Sequence, residues 1–303
     1  MSVTSGDLLA FKRSVLVCPR CHGGLSWAGD QPTCSSCGRV YPVVGSTPAL
    51  MDTDDLPEAD PLAGPDGALT GPTSRLPGPI RRVVRRIRSF LDVPPVYQTS
   101  ERPAYLRRFV ASFDPAEHVV NVGSGSRSYG PSVTNLDIFP MNGVDALASA
   151  LQLPLADGSC SGVILEAVLE HVVDAELTLG EIRRSLAPGG RVFVDIPFLQ
   201  PFHGSPHDYR RFTELGLRTK MEQCGFEIED SGVSVGPASA FSWISTHFFA
   251  MLLSGNNPKA YRIARVLVTP IIAPVRFLDR WLERHPSAHV IASGVWAVGR
   301  RAD

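Results

Sequence analysis

The strongest restriction on the fold is an alternation of strand-like and helix-like segments that runs from residue 117 to the end of the chain. Apolar strand patterns cover residues 118–122, 133–138, 162–165, 191–196, 226–230 and 290–298. Helical patterns begin near Asp174 and Thr213, and the first ends at an Ala-Pro-Gly-Gly sequence, where proline and glycine terminate helices. Such alternation predicts an α/β fold, a mostly parallel sheet with helices on both faces.

The chain divides at a segment rich in proline, glycine and aspartate. Its 303 residues exceed the usual size of one domain, and 44% hydrophobic residues suffice for a substantial core. Residues 53–78 lack apolar periodicity and are predicted to be a flexible linker. We expect a head at 1–52, a helical lead-in at 79–116 and an α/β domain at 117–303 with a helical insertion at 237–286.

Four of the six cysteines form two Cys-x-x-Cys pairs, namely Cys18, Cys21, Cys34 and Cys37. Two such pairs are the usual way to assemble a tetrahedral zinc site. The first residues show no basic region followed by an apolar stretch, so we expect a cytoplasmic protein, in which metal is favoured over disulfides. The prediction is a structural zinc ion that helps to fold a head too small for a core of its own.

The sequence around these cysteines resembles a known zinc-ribbon family. Cys-Pro-Arg-Cys and Cys-Ser-Ser-Cys-Gly are followed by Tyr-Pro-Val-Val-Gly at 41–45 and Pro-Ala-Leu-Met at 48–51. Together they look like the small zinc ribbon that partners and activates several tRNA and protein methyltransferases. The resemblance covers roughly residues 14–52 and makes a methyltransferase-like domain in the same chain an expectation.

A glycine turn follows the first apolar strand of the α/β region. Asn121 is followed by Val122, Gly123, Ser124 and Gly125, and glycines let the backbone approach a ligand closely. Asp137, at the end of the second strand, is placed to accept hydrogen bonds from ribose hydroxyls. These residues alone fit a dinucleotide as well as another nucleoside cofactor.

Three downstream segments resemble the type-11 branch of the class I methyltransferases. They are Leu-Pro-Leu-Ala-Asp-Gly-Ser at 153–159, Leu-Glu-His at 169–171 and Leu-Ala-Pro-Gly-Gly at 186–190. The resemblance covers roughly residues 117–232 and implies a Rossmann-like sheet and S-adenosylmethionine as cofactor. A nicotinamide-dependent oxidoreductase is disfavoured by these segments and by the lack of a third glycine, a position near Arg127.

The same resemblance assigns cofactor-binding roles to particular residues. Gly123, Ser124 and Gly125 would line the methionine and ribose portions, Asp137 would bind the ribose, and Glu166 would face the same pocket. Asn121 and Ser149 stand where the family usually has acidic residues. Both still form hydrogen bonds, but without the assistance of a charge, so weaker contacts are expected. This departure keeps open a second hypothesis, a non-catalytic scaffold or activator of a partner enzyme.

The loop after the strand at 191–196 is the candidate acceptor site, because chemistry in open α/β sheets gathers beyond the carboxyl ends of the strands. His203 or His207 is a candidate general base, with Asp208 orienting one of them. The competing interpretation is a loop held together by its own hydrogen bonds. Glu170 and His171 are expected only to cap and pack the helix that follows.

The chain carries two candidate contact segments. Residues 79–92 form an arginine-rich amphipathic pattern, and 237–286 are strongly apolar but too short or too interrupted by proline to span a membrane. Together they suggest peripheral contact with an anionic membrane. Alternatives are an RNA-binding helix and, for the insertion, a lid or a homodimer contact. Plain packing against the sheet is the favoured interpretation of the insertion. A net charge of -1 and the lack of an Asn-Pro-Pro-Tyr motif disfavour nucleic acid.

These patterns lead to one functional hypothesis. The protein is expected to be a class I S-adenosylmethionine-dependent methyltransferase with a structural zinc ion. The acceptor atom is expected to be an oxygen or nitrogen of a small molecule, lipid-linked, saccharide or secondary-metabolite substrate.

Overall fold

A computed structural model describes residues 5–52, 101–204 and 207–303 of the chain. The predicted linker at 53–78 and the arginine-rich pattern at 79–92 lie outside these described residues, so both remain predictions.

The head begins with a helix and continues as two small hairpins. Helix α1 spans Ser5–Ser14. Strands β1 (Leu25–Ala28) and β2 (Gln31–Cys34) pair antiparallel, and Gly29 takes the left-handed conformation (φ 62°) that their tight turn requires. Strands β3 (Val43–Val44) and β4 (Thr47–Pro48) form the second hairpin.

The larger part of the chain is built on a seven-stranded sheet. Its strands are β5 (Val119–Val122), β6 (Val133–Asp137), β7 (Ala146–Leu147), β8 (Cys160–Glu166), β9 (Leu186–Pro197), β10 (Phe226–Val235) and β11 (Gly294–Arg301). Their spatial order is β10-β11-β9-β8-β5-β6-β7. The five strands from β9 to β7 are parallel, and β11 runs antiparallel between β9 and β10. The predicted α/β class is confirmed.

The order of the strands fixes where a ligand crevice lies. The chain starts at β5, adds β6 and β7 on one side, and then returns to add β8 and β9 on the other. In open α/β sheets, ligands bind beyond the carboxyl ends of the strands at such a reversal. The crevice therefore lies where β5 and β8 end, next to Gly123 and Glu166.

Each face of the sheet has its own apolar layer. On one face, helix α2 (Glu101–Ala111) places Leu106 and Phe109 against Phe193 and Trp296. The other face packs on helices α3 (Ala175–Ser185) and α4 (Glu214–Gln223), whose buried side chains include Leu179 and Leu217. Burying one such side chain contributes about 1.5–3 kcal/mol, so these layers fix the sheet against its helices.

Both predicted helix starts are side-chain caps. The Asp174 carboxylate accepts from the Leu177 backbone N–H (2.9 Å), and the Thr213 hydroxyl accepts from that of Gly216 (3.0 Å). The expectation that Glu170 and His171 cap this helix is wrong, because Asp174 does so. The last strand begins at Gly294 rather than 290, because residues Ala288–Ile291 form a 3-10 helix before β11.

The connection between β5 and β6 is unusual. Adjacent parallel strands normally need a long crossover that contains a helix. Here residues 123–132, all of them described, form turns and bends with no helix. The glycine turn therefore leads into an open loop rather than into the first turn of a helix.

The head is joined to the sheet through backbone hydrogen bonds. Val17 N–H donates to the Pro154 carbonyl (2.9 Å), and Leu50 N–H donates to the Leu147 carbonyl of β7 (2.8 Å). Lys12 adds an ion pair with Asp145 (2.8 Å). The buried head residues Val15, Leu16, Cys18, Cys34, Tyr41 and Leu50 belong to the same apolar cluster as the sheet. The domain boundaries remain predictions, but the two segments share one core.

The insertion forms a helical unit between β10 and β11. It contains α5 (Pro237–Ser254), α6 (Pro258–Ile272), a 3-10 helix (Ala273–Leu278) and α7 (Asp279–Leu282). None of the helices in the described parts of the chain combines the length and the apolar character that crossing a membrane requires.

Candidate functional site

The glycine turn after β5 is shaped by close contacts and by backbone conformation. Gly123 (φ 69°) and Gly125 (φ 55°) are both left-handed, a region that side chains with a Cβ rarely adopt. A Cβ on Gly123 would lie 2.1 Å from Cγ2 of Val168. The N–H groups of Gly123 and Ser124 both donate to the Leu136 carbonyl (2.8 and 3.0 Å). The turn therefore needs glycine at 123 for space as well as for conformation.

Asp137 supports this turn from the end of β6. One carboxylate oxygen accepts from the Gly125 N–H (2.7 Å), and the other accepts from the Phe139 N–H (2.8 Å). Burial raises the pKa of Asp137 above its ordinary value, although these backbone donors oppose the shift. The structure thus brings Asp137 to the glycine turn, as the ribose-binding prediction requires.

Asn121 and Glu166 lie at the same end of the sheet but are engaged with protein groups. The Asn121 amide donates to Asn135 Oδ1 (3.3 Å), across the β5–β6 pair. Glu166 is buried and contacts the Tyr129 hydroxyl and the Arg127 guanidinium (3.5 Å). Glu166 therefore anchors the 123–132 loop to β8. The cofactor roles of both residues remain predictions.

Ser149 follows β7 and closes a local turn. Its hydroxyl accepts from the Leu151 N–H (3.2 Å), and its carbonyl accepts from the Gln152 N–H (3.1 Å). This arrangement serves the turn, and the contribution of Ser149 to cofactor binding remains a prediction.

The residue after Glu166 has a constrained backbone conformation at this edge of the sheet. Ala167 has a positive φ of 53°, which is uncommon for a residue with a side chain. Its N–H donates to the Asp195 carbonyl on β9 (2.9 Å). Backbone conformations of this kind are kept at binding sites because the surrounding contacts impose them.

The predicted acceptor loop places its three candidate residues differently. His203 is mostly buried, and its backbone N–H donates to Asp208 (2.8 Å). Asp208 forms a two-point ion pair with Arg211, which keeps the pKa of Asp208 below its ordinary value despite burial. His207 is exposed and its ring lies beside Tyr209. Asp208 therefore positions the His203 segment, whereas the exposed His207 ring contacts Tyr209.

Sequence reasoning missed a cluster formed by Glu170, His171 and His203. Nε2 of each histidine lies 3.7 Å from Glu170 Oε1, and the two rings meet edge to face with centroids 5.4 Å apart. Burial disfavours the charged form of His203, but the nearby Glu170 carboxylate outweighs it and raises the pKa of His203. The signal in the sequence was the acidic residue of Leu-Glu-His directly after an apolar strand.

The four predicted zinc ligands do come together. Their sulfur atoms all lie within 4.8 Å of one another, with Cys18–Cys37 at 3.9 Å and Cys21–Cys34 at 3.5 Å. Four sulfurs bound to one tetrahedral zinc ion at about 2.3 Å would be separated by about 3.8 Å. The cluster fits a structural zinc ribbon with no position left for a catalytic water.

The pKa values of two of these thiols are shifted in opposite directions, because the four side chains interact with one another and with backbone N–H groups. The backbone N–H of Cys37 leads the contributions that lower the pKa of Cys34 to about 6. The Gly23 N–H lowers the pKa of Cys21, but the neighbouring thiols outweigh it and raise that pKa to about 12. Four adjacent thiols ionise together only when a cation compensates their charge.

Comparison with known proteins gives a family match for this part of the chain. Residues 120–194 match a family model described as a methyltransferase domain, a span that contains the glycine turn, Asp137, Glu166 and Glu170. No curated protein matches the chain at a significant level.

Three solved structures illustrate the similarity. The [4+2]-cyclase SpnF is 15% identical with a TM-score of 0.44, over 74% of this chain and 94% of that chain. A complex of the Haloferax volcanii Trm112 methyltransferase activator with a methyltransferase is 15% identical with a TM-score of 0.38, over 62% and 83%. Haemonchus contortus phosphoethanolamine N-methyltransferase 2, solved with S-adenosylhomocysteine, is 13% identical with a TM-score of 0.42, over 67% and 52%.

Proposed function

We propose that this chain, which contains a class I S-adenosylmethionine-dependent methyltransferase domain, methylates an oxygen or nitrogen of a lipid-linked acceptor at a membrane surface. The proposed class of acceptor rests on a large exposed apolar surface on the insertion helices, adjacent to the His203 loop. S-adenosylmethionine supplies the electrophilic methyl group when it is bound.

The residues at the end of β5 and β6 are suited to hold this cofactor. At Gly125 the nearest atom to the position of a Cβ is Met141 Sδ at 3.9 Å, which leaves room for a ligand to approach the backbone there. Asp137 is fixed by two backbone donors and retains lone pairs that can accept from ribose hydroxyls. Methyl transfer needs little beyond this cofactor site, an aligned acceptor atom and a route for its proton.

The apolar helix surface consists of exposed side chains on α5, α6, the 3-10 helix that follows and α7. Its members are Phe241, Ile244, Phe248, Phe249, Met251, Leu252, Leu253, Ile263, Leu267, Ile271, Phe277, Leu278 and Trp281. Several are largely exposed, such as Leu252 at 67% and Ile271 at 74%. Soluble monomers rarely expose so many large apolar side chains together, so this surface is expected to be covered by something.

The charges around this surface favour an anionic bilayer as its partner. Helix α5 carries no charged residue. On the segments that follow, the exposed charges Lys259, Arg262, Arg280 and Arg284 are all positive, and the acidic Glu283 is half-buried. Asp279 is buried. Apolar side chains rimmed by cations are typical of helices that lie in the interface of a membrane.

The apolar helix surface is connected to the candidate acceptor site through α5. The Trp243 ring stacks on the His203 ring, with centroids 6.2 Å apart and an interplanar angle of 24°. The first turns of α5 therefore form one wall beside the Glu170, His171 and His203 cluster. An acceptor anchored in the bilayer would meet this wall first.

Flotation with vesicles tests the acceptor class. We expect the protein to float with vesicles that contain phosphatidylglycerol, and a Phe248→Asp, Leu252→Asp double variant to stay in the bottom fraction. The matched control is Leu215→Asp, which places a charge at a 70% exposed leucine on α4, outside the insertion. Equal flotation of all three proteins, or no flotation of the wild type, would exclude membrane contact. A concentration-dependent dimer that the double variant abolishes would instead assign the surface to a second copy.

Calorimetry tests the cofactor assignment independently. Zinc-loaded wild-type protein is expected to release or absorb heat on titration with S-adenosylmethionine. Without a binding signal, the non-catalytic scaffold becomes the better interpretation, whatever the result with vesicles.

A further inference from the structure

We infer that Glu170, His171 and His203 form a second metal site, which binds a divalent first-row ion separately from the zinc ribbon. Three ligands from protein leave further coordination positions open. The role of this ion, which is to hold an oxygen of the methyl acceptor, rests on the proposed function.

The first observation is that the Glu170 carboxylate is buried without a hydrogen-bond donor among the described residues. The side chain is completely buried. Among the described residues, no group donates a hydrogen bond to either of its carboxylate oxygens. An ionised carboxylate in such a place is very costly unless a cation compensates it. Glu170 therefore calls for a positively charged partner within reach of Oε1.

The second observation is the orientation of both histidine rings. His171 Nδ1 lies 2.5 Å from the His207 carbonyl, and His203 Nδ1 lies 3.1 Å from the Pro201 carbonyl. A carbonyl oxygen can only accept, so each contact favours a proton on Nδ1, although at His203 a longer contact of the Arg211 guanidinium with the same nitrogen (3.4 Å) opposes it. In a neutral ring the unprotonated Nε2 then faces Glu170, which is the orientation that metal-ligating histidines adopt.

The distances distinguish a metal from a shared proton. Nε2 of each histidine is 3.7 Å from Glu170 Oε1. A charge-assisted hydrogen bond would draw these atoms to about 2.8 Å. Two ligand atoms bound at about 2.1 Å to one tetrahedral ion are about 3.4 Å apart, close to the separation seen. With neutral rings and no ion, the Nε2 lone pair of each histidine and a lone pair of the Glu170 carboxylate would face each other across this gap.

The surroundings hold the three ligands in place. The Tyr209 N–H donates to the Glu170 carbonyl (2.8 Å), which fastens the loop to the end of β8. Arg211 also donates to the Pro201 carbonyl (3.2 Å), so the acceptor that orients His203 is itself fixed. Val168, two residues before Glu170, touches the glycine turn at Gly123. The cluster thus lies on the segment that borders the cofactor site.

The types of ligand limit which metal ions fit this site and which chemistry they would supply. Two imidazoles and one carboxylate suit Zn²⁺, Fe²⁺ and Mn²⁺, and they differ clearly from the four thiolates of the ribbon. An ion with open positions acts as a Lewis acid towards an oxygen ligand and lowers its pKa. The acceptor class that this site fits has a hydroxyl or carboxylate oxygen near the atom to be methylated.

The experiment uses Mn²⁺, which binds nitrogen and oxygen ligands but does not displace zinc from thiolates. Full-length zinc-loaded protein is titrated with Mn²⁺, and the free ion is followed by its paramagnetic resonance signal. We expect one Mn²⁺ per chain in the wild type and in His207→Ala, a histidine of the same loop outside the cluster. We expect none in Glu170→Gln or His203→Ala, while the ribbon zinc is retained.

Thermal unfolding provides the control for folding. Mn²⁺ is expected to raise the Tm of the wild type but not that of Glu170→Gln, which keeps the shape of the side chain. If Glu170→Gln does not fold, His171→Asn serves in its place. No uptake of Mn²⁺ or of additional Zn²⁺ by the wild type, or equal uptake by the cluster variants, would overturn the inference.

The outcome separates this inference from the proposed function. If the wild type takes up no Mn²⁺ but still binds S-adenosylmethionine and floats with vesicles, only the second metal site is excluded. A bound metal in a protein that does not bind S-adenosylmethionine would leave the site standing and remove the methyltransferase chemistry.

Discussion

Two buried carboxylates at the crevice are stabilised in different ways. Asp137 is surrounded by backbone donors and supports the glycine turn. Glu170 receives no hydrogen bond from the described residues and faces two imidazole nitrogens instead. The first arrangement is complete within the protein, whereas a cation would complete the second. We therefore propose separate roles for these two acidic residues, Asp137 in cofactor binding and Glu170 at the acceptor side.

Gly123→Ala is expected to abolish binding of S-adenosylmethionine. The new Cβ would collide with Val168 at 2.1 Å, so the turn must shift away from Val168 and lose the conformation in which we propose that it binds the cofactor. Gly143→Ala is the matched control, because Gly143 also has a positive φ (89°) but has open space around it. The control should lose about 1–2 kcal/mol of stability and retain the cofactor. Equal affinities of the two variants in calorimetry would contradict this account of the turn.

Asp137→Asn is expected to weaken cofactor binding by at least about tenfold. The amide presents a donor to one of two backbone N–H groups, which leaves that group unpaired at a cost of roughly 1–3 kcal/mol. We expect part of this cost to weaken the contact between Asp137 and the ribose. A loss of about 1.4 kcal/mol in binding free energy corresponds to a tenfold lower affinity for the cofactor. The control is Asp114→Asn, an exposed aspartate that accepts from the Ala116 N–H in a remote turn. Unchanged affinity in Asp137→Asn would remove Asp137 from the cofactor site.

At the scale of elements, the insertion depends on a cap supplied from outside its first helix. Helix α5 begins after Gly236 without a side-chain cap of its own. Asp279, at the start of α7, accepts from the Ala238 and Ser239 N–H groups (2.7 and 2.8 Å). Burial raises the pKa of this carboxyl, although these donors oppose the shift. One carboxylate thereby ties the two ends of the insertion together and keeps the wall beside His203 in place.

Asp279→Ala is expected to destabilise the insertion. Two buried N–H groups lose their acceptor, at about 1–3 kcal/mol each, and Asp279→Asn should lose about half as much because one oxygen remains. Amide hydrogen exchange at residues 238 and 239 should accelerate in the same order. Glu222→Ala, an exposed acidic residue on α4, should change neither quantity. Exchange at these amides that is equal in all variants would show that Asp279 is not the cap.

At the scale of the whole molecule, the zinc ribbon is part of the sheet's support. Its backbone bonds to β7 and to the segment at 153–155, and its buried residues join the apolar cluster beneath the sheet. The Cys18 thiol also contacts the Tyr41 hydroxyl (3.0 Å), inside the same cluster. Loss of the metal would therefore loosen one edge of the methyltransferase domain and not only the head.

A Cys21→Ser, Cys37→Ser double variant tests this coupling. Both cysteines are exposed, so the change removes two zinc ligands without altering a buried side chain. We expect loss of zinc and a fall in Tm on the order of 5 °C or more, in a single calorimetric transition. Cys224→Ser, outside the cluster, should retain zinc. A separate unfolding transition for the sheet at the wild-type temperature would contradict a shared core.

The sequence alone was sufficient for features that depend on near neighbours along the chain. The α/β class, the helix starts near Asp174 and Thr213, the paired cysteines and the glycine turn all follow from periodicity or short spacing. The resemblance to class I methyltransferases also rested on such short segments, and the family match confirmed it.

Other features were decided only by the tertiary structure. Glu170 and His203 are far apart in sequence, and they meet because the loop after β9 folds back onto the end of β8. The joining of the ribbon to β7 and the position of α5 beside His203 likewise depend on which apolar faces cover one another. Local periodicity shows that a residue will be buried. Which polar groups are buried next to it depends on packing between distant segments. Here that packing places the imidazoles of His171 and His203 against the Glu170 carboxylate.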